Sequence, residues 1–533
     1  MDDPNFDVII IGSGPAGTSA AYPLLNAGLK VLMVDGGKEA TNTYPQESYL
    51  TWRQTDTLQH SRMIGENNYS LVHLKSSSPK MRIPGLSYAF NDFAQENNSL
   101  NDRSIAISSL ATGGLSNVWG CGVATFSDIE LSQFPFDPAD IKGSYATVSK
   151  RIGISGCNGD DLSSYFGVDS WAQPPIQLDP IHQFLEQRYS SRSCGQGDKI
   201  FRLGRTRLAT LSQAHRNRLP CNLSGNCLWG CSRKSQYSSA FEIEPLMKFP
   251  NFFFEPDLKI DSISSKEKFA SIHGVELKTA LLKSYTGRKI FIAAGTLPST
   301  KLSLNLLKLY DTKILQSCPT AGFMAWIPKF LGRNRVDSFG SGQLAFHMLV
   351  NNKVPAYGAT FSPQGIPVSE FLRHVPLAPR YGISFLRSLL SSCVVGNFFL
   401  PGEYGGGSVK LQKNGDLDVS YNPKNEVADL MKNANKILSS NYRKLGAYLI
   451  PGSFTIGQPG GDIHYSGTLP MKKNPGIGET NSLGQLTNFN NVHVIDGSCL
   501  TSLPEKPHTL TIMANADRIA LGTLTSLLST SKK

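Results

Sequence analysis

The stretch from Phe6 to Asp35 constrains the fold more than any other part of the chain. Phe6 to Ile11 is a short apolar run rich in β-branched residues, which predicts a strand covered on both faces. It feeds Gly12-Ser13-Gly14-Pro15-Ala16-Gly17, then an alanine- and leucine-rich helical segment to Gly28. A second strand, Lys30 to Val34, ends in Asp35. The whole is a complete β-α-β unit.

Each glycine has a physical task in such a unit. Gly12 permits the tight turn, Gly14 lets a pyrophosphate approach the backbone, and Gly17 allows close helix–strand packing. The pyrophosphate then sits at the positive end of the helix that Pro15 and Ala16 begin, with Ser13 in the same turn. Asp35 is placed to accept hydrogen bonds from the ribose hydroxyls of an adenosine half. Strand, glycines, helix, strand and acid in register point to a dinucleotide, and FAD and NAD are not separated by this unit alone.

The far end of the chain bears on that choice. Asn491 to Gly497 reads as a strand delivering Asp496 and Gly497 to a sheet edge. In flavoprotein folds such a late Asp-Gly meets the ribityl-phosphate region, so first and last segments holding one cofactor favour a flavin. Two histidines flank this strand in sequence: His464 in Gly461-Asp462-Ile463-His464-Tyr465-Ser466-Gly467, and His508 in Pro507-His508-Thr509.

Four stretches in order resemble the glucose-methanol-choline (GMC) oxidoreductases, and they span nearly the whole chain. They are Gly12 to Gly17, Thr112-Gly113-Gly114-Leu115-Ser116-Asn117-Val118-Trp119, Ile292-Ala293-Ala294-Gly295-Thr296-Leu297-Pro298-Ser299, and the block from His464 to Arg518. The resemblance implies an FAD-dependent enzyme that oxidises a CH–OH group of an alcohol, sugar or sugar derivative. It places Gly113, Gly114, Ser116 and Asn117 against the flavin, and Ala294, Gly295, Asp496, Gly497 and Thr509 among the cofactor contacts. Where some relatives have a histidine bonded covalently to the flavin, this chain has Val118, so FAD is expected to be non-covalent.

Oxidising CH–OH means removing the hydroxyl proton while a hydride passes to flavin N5, so a base must stand near both. Histidine suits that role because its pKa lies near working pH. The resemblance makes His464 the base and His508, a position that is His or Asn among relatives, its hydrogen-bonding partner. His493 and His273 read as packing or sheet-edge residues. The sequence departs from the family at Asp35, where Glu is commoner, and at Asn515 and Asp517, on a helix that is usually more apolar. The glycine-rich loop looks closer to pyranose oxidases and membrane-linked sugar-acid dehydrogenases, whereas His508 is as in glucose-oxidase-like members. A non-redox FAD-containing lyase of the oxynitrilase kind and a non-catalytic flavoprotein are the alternatives.

A chain of 533 residues exceeds one ordinary domain. The expected fold class is α/β (α+β): a Rossmann-type FAD-binding domain from 1–160, 215–310 and 456–533, interleaved with a mixed or antiparallel-sheet substrate domain from 161–214 and 311–455. Within the latter, Lys413-Asn414-Gly415 predicts a hairpin between Ser408–Leu411 and Asp416–Tyr421, assigned to a wall opposite the flavin. The segment 258–299 predicts antiparallel strands returning to the first sheet. Ser104 to Leu110 alternates toward a strand, and the polar segment 40–103 reads as irregular excursions, with Trp52, Tyr69 and Tyr88 as isolated anchors.

An excess of 52 basic over 41 acidic residues gives a net charge of +11. That balance fits an anionic substrate such as a sugar acid, or an acidic redox partner or membrane surface. No dense basic run with interleaved aromatics argues for nucleic acid. The electron acceptor is left open among oxygen, a quinone and a cytochrome partner. The opening residues carry no secretory pattern, and Phe385 to Leu400, the most apolar stretch, is too short to span a bilayer, so a cytoplasmic protein is expected. Arg373, His374, Arg380 and Arg387 keep peripheral membrane attachment open, while a core element of the substrate domain is the favoured reading of this stretch. Nine cysteines read as free thiols; Cys221, Cys227 and Cys231 are clustered but lack a fourth ligand, and no metal is expected.

Overall fold

The computed structural model describes residues 5–40, 44–72, 79–90, 105–191, 200–334, 336–372 and 375–529. Its first sheet is built on the predicted unit. Phe6–Ile11 pairs in parallel with Val31–Val34 on one side and with Gly287–Ile292 on the other. Phe252–Glu255 extends the sheet beyond Val31–Val34, and Val492–Val494 adds a parallel strand beside 290–292. The long strand Leu282–Ile292 spends its first half in an antiparallel meander with Ala270–Glu276, which pairs in turn with Leu258–Ser265. One strand thus serves both arrangements, as expected for 258–299.

The helices Pro15–Asn26 and Thr509–Ser529 pack together on this sheet. The polar residues of Thr509–Ser529 are satisfied by a third helix, Lys142–Ile152, and within the helix itself: Asp517 accepts a hydrogen bond from Ser144 Oγ at 2.7 Å, and Asn515 Oδ1 accepts from the Arg518 guanidinium. The core beneath is continuous from Val8–Ile11 to Ile519.

A second sheet of seven strands is antiparallel throughout. Tyr448–Leu449, Thr320–Trp326, Cys393–Phe399, Val354–Phe361, Leu344–Val350 and Phe201–Arg205 follow in that spatial order, with Thr455–Ile456 also on Thr320–Trp326. Alternation sorts its side chains. Ala321, Phe323, Val394 and Phe398 enter a separate core with the helix Val427–Lys444, while Thr320, Met324, Val395, Asn397 and Phe399 face the other way.

Several expectations need correction. The hairpin Gly407–Leu411/Leu417–Tyr421 forms, but it joins Lys313–Ser317 and Tyr465–Ser466 in a third sheet of four strands. Its inward residues Val409, Leu411, Leu417 and Val419 belong to the core of the first sheet, so it is no part of the seven-stranded wall. Ser104 lies outside the described residues and 105–110 form no strand. Their backbone is satisfied by scattered partners instead: Ile105 donates to Pro459 O, and Leu110 O accepts from Lys38. Parts of 40–103, and Arg373 and His374, also lie outside the described residues. Trp52 is not an isolated anchor; it packs against Tyr49 and Trp229 and donates to Asn226 Oδ1 at 2.9 Å. The segment 385–400 is not one core element but the end of a surface helix, Pro379–Leu389, followed by a central strand. No helix among the described residues is long and apolar enough to cross a membrane.

Candidate active site

Between the first sheet and the cavity-facing side of the second lies a cavity of about 1160 Å³. Ligand pockets commonly measure ~300–1000 Å³, so this one has room for a large cofactor and a substrate together. The starts of three helices line it: Gly14, Pro15 and Ala16 before Pro15–Asn26, Gly295 and Thr296 before Thr296–Leu307, and His508 and Thr509 before Thr509–Ser529. Helix dipoles directed at the cavity favour an anionic group there.

The glycines divide by role. A Cβ on Gly14 would meet nothing in the protein and would project into open space, whereas one on Gly17 would lie 2.0 Å from Gly12 O. Gly12 has φ +105° and a Cβ there would strike Ala293 O at 2.4 Å. Gly12 and Gly14 therefore line the cavity while Gly17 closes the packing behind it.

Among the other residues singled out in the sequence, Pro15, Ala16, Asp35, Gly114, Ser116, Ala294, Gly295, Asp496, Gly497, Thr509, His464 and His508 all line this one cavity. Ser13, Gly113 and Asn117 stand behind its wall. Ser13 donates to Asp35 from both N and Oγ, at 2.8 and 2.7 Å, and its Oγ accepts from Gly113 N. Asn117 donates to the carbonyls of Thr112 and Gly114 and accepts from Ser238. These three shape the loop by satisfying its backbone.

The two acids are also bonded within the protein. Burial lifts the Asp35 carboxyl to about 6, against the pull of Ser13 and Gly37 donors. Asp496 accepts from Gly295 N and Ser299 Oγ on one oxygen and from Ser498 N and Oγ on the other. It locks the turn at Gly295 to the end of Val492–Val494, while burial raises its pKa. Val118, the residue after Asn117, also faces the cavity.

His464 and His508 meet edge to face with ring centroids 4.9 Å apart, and the ring of Phe399 packs on His464 at 4.7 Å. The Nδ1 atoms of both imidazoles have no partner within the protein. Burial lowers the His464 pKa to about 4, and burial with the neighbouring His464 puts His508 well below the ordinary value. At neutral pH both rings are uncharged bases in a low-dielectric wall.

Sequence reasoning overlooked what holds them. Asp462 accepts from His464 N at 3.2 Å, Cys318 N at 2.7 Å and Ser317 Oγ at 2.8 Å, and burial raises its pKa to about 7. Between Asp462 and His464 stands Ile463, with φ +59°, an uncommon conformation for a β-branched residue. The short-range pattern Asp-x-His was the available signal, since Asp side chains commonly bond the backbone two residues on. Cys318, Asp462 and His464 also have metal-ligating spacing, but both Asp462 oxygens already serve the hydrogen bonds above. Lys80 is a second omission: its ammonium, buried in the cavity wall, donates to Val118 O at 2.6 Å. A lysine in an irregular loop gives no sequence signal of that placement. His493 and His273 are structural, the former bonded to Leu483 O and the latter between Ser264 and Ser284.

The fold has counterparts. Residues 6–96 match the pyridine nucleotide-disulphide oxidoreductase family. A comparison with curated sequences finds no match. Among solved structures, pyridoxine 4-oxidase from Mesorbium loti is similar at 14% identity, with 98% of this chain and 99% of that one covered and a TM-score of 0.59. Formate oxidase is similar at 11% identity, with 100% and 99% covered and a TM-score of 0.61. The chain is thus a mixed α/β protein with a Rossmann-type dinucleotide region and the overall fold of these two oxidases.

Proposed function

We propose that this protein is an FAD-dependent oxidoreductase of the GMC type that oxidises a CH–OH group, with His464 and His508 acting on the substrate hydroxyl. The observation that carries this reading is the pair of uncharged imidazoles, centroids 4.9 Å apart, in the wall of the cavity that the glycine-rich helix start also lines. The matched family and the two oxidases of the same fold support it.

The residues present fit FAD. Open space at Gly14 and three convergent helix starts suit a pyrophosphate; Asp35 closes the adenosine end; Gly114, Ser116, Ala294, Gly295, Gly497 and Thr509 line the remainder. Val118 offers no nucleophile, which fits non-covalent binding. FAD, when bound, supplies the acceptor for the hydride. His464 takes the hydroxyl proton on a free ring nitrogen, and His508 donates or accepts a hydrogen bond at the same oxygen. Phe399 restricts the His464 ring and excludes water from it. In this reading 1–160, 215–310 and 456–533 form the cofactor part, and 161–214 with 311–455 the substrate part, apart from Lys313–Ser317 and the hairpin 407–421, which pack with the first core.

Anaerobic titration of the FAD-loaded protein with a panel of alcohols and sugars, following flavin absorbance, tests the proposal. Bleaching by an alcohol is expected. A loaded protein that no alcohol bleaches, but that cleaves a cyanohydrin, would establish the lyase reading instead.

A further inference from the structure

The second sheet shows what kind of molecule the substrate end of the cavity can hold. Its cavity-facing positions are mainly Met324, Val395, Phe399, Tyr357, Ala359 and Phe361, with Thr320, Asn397, Thr455 and the Tyr357 hydroxyl as the polar groups and Gly322 bare. A polyhydroxylated substrate needs a polar partner for nearly every hydroxyl, because each unpaired group carries a desolvation cost. This wall supplies few, and suits a mainly apolar alcohol.

At the mouth lies the helix Pro379–Leu389, and Phe385, Leu386 and Leu389 from it line the cavity. Gly382 and Leu386 face inward. Outside them, large apolar side chains stand in water: Leu377 is 50% exposed, Tyr381 66%, Ile383 38% and Phe385 50%. Exposed apolar groups clustered on one helix and its approach differ from the scattered ones normal on a surface.

Charge identifies what covers them. Arg380 and Arg387 lie on the helix, and no Asp or Glu occurs between Glu370 and Glu403. Ile327, just before the turn Pro328–Phe330, donates to Ser392 O in the turn that follows the helix, and that neighbouring segment carries exposed Lys329, Leu331 and Arg333, with Lys329 over the Phe184 ring and Arg333 over Phe330. Between Asp311 and Asp337 there is again no acid. Glu370, on the helix Val368–Leu372 packed against Pro379–Leu389, is engaged by Arg82 at 2.8 Å. Tyr381 and Phe385, four apart, share one exposed flank, and Ile383 shares the other with Arg380 and Arg387; a helix with apolar groups and arginines on its exposed flanks and no acids suits the headgroup region of an anionic bilayer.

We propose that Pro379–Leu389 is an interfacial helix that seats the cavity mouth on an anionic lipid surface, from which the enzyme draws an apolar, membrane-borne alcohol. The docking stands on the surface alone; the substrate class rests on the alcohol-oxidising reading above. With no spanning helix among the described residues, the contact is peripheral and salt-sensitive.

Co-sedimentation of the FAD-loaded protein with vesicles tests it. The protein is expected to pellet with vesicles of phosphatidylcholine and phosphatidylglycerol, and to stay in solution with phosphatidylcholine alone. Arg380→Glu/Arg387→Glu and, separately, Tyr381→Ser/Ile383→Ser should each weaken the partition by about tenfold or more. Retained flavin absorbance and unchanged thermal melting show that the variants are folded. Failure to pellet with anionic vesicles, or equal partition of the variants, overturns the docking, as does a stable dimer in solution that Tyr381→Ser/Ile383→Ser splits. Pelleting without bleaching by any alcohol upholds the docking and contradicts only the oxidoreductase reading. Once docked, bleaching by decanol in the vesicles but not by glucose is the result expected for the substrate class; the reverse overturns it.

Discussion

The carboxylate of Asp462 accepts the backbone N–H of His464 across a strained Ile463, and so fixes the imidazole from the main chain rather than from the ring. The same oxygen accepts from Cys318 N and the other from Ser317 Oγ, where Lys313–Ser317 gives way to the strand Thr320–Trp326. His464 is thereby referenced to the third sheet and to the start of the second.

Asp462→Ala removes three hydrogen bonds from one buried knot. The expected result is a loss of ~1–3 kcal/mol in unfolding free energy and a fall of about a hundredfold in flavin reduction, from a small displacement of the ring. FAD content should be unchanged. Asp462→Asn can keep the amide-directed oxygen and donate to Ser317, and is expected to lose far less. Chemical denaturation and stopped-flow reduction of both variants check this.

Asp462 also gives a pH signature of known sign. Burial raises its folded pKa to about 7, above the ~4 of an unfolded carboxyl. The folded state therefore holds the proton more tightly, and this group's contribution is greatest below pH ~4 and is lost as pH rises to 7. Melting curves of Asp462→Asn, neutral at every pH, should lie nearest the wild type in acid, with the wild type losing stability relative to the variant as pH rises toward and past 7. A difference independent of pH would contradict the assignment.

In the proposed reaction His464, as the base, sets the acid limit of activity. With the His464 pKa lowered to about 4, the ring stays free to take a proton until pH falls through that value. The acid limb of kcat/KM is expected near pH 4, not near the ~6.5 of an unperturbed histidine. A limb at 6.5 that shifts in His464 variants would show the imidazole to be solvated.

Gly14→Val tests the cradle. A side chain at this position has no protein neighbour and would enter the cavity at the helix start, so the variant should fold but emerge without FAD. Absorbance at the flavin band after purification reads the outcome directly. A fully loaded Gly14→Val would remove the cofactor from this place.

What was legible in the sequence was what local chemistry determines. The β-α-β unit, the Asn-Gly hairpin and a strand leading to Asp496, though only over Val492–Val494, follow from period, turn residues and glycine sterics. Tertiary placement was not. The hairpin joined the third sheet because a period-2 pattern states which residues are inward without stating which core receives them. Ser13 and Asn117 were read as ligand contacts, yet their polar groups are consumed by Asp35 and by loop carbonyls. Asp462 and Lys80 went unread because burial, which sets their behaviour, is a property of the assembled sheets.

The central claim is that His464 and His508 act on a substrate hydroxyl beside bound FAD. Single-turnover reduction of the loaded protein by an alcohol, with dithionite reduction as a control, tests it most directly. For His464→Ala the account predicts full FAD content, normal reduction by dithionite, and reduction by alcohol slowed by about 10²–10⁴-fold, with a smaller loss for His508→Asn. Alcohol reduction of His464→Ala at the wild-type rate would contradict it.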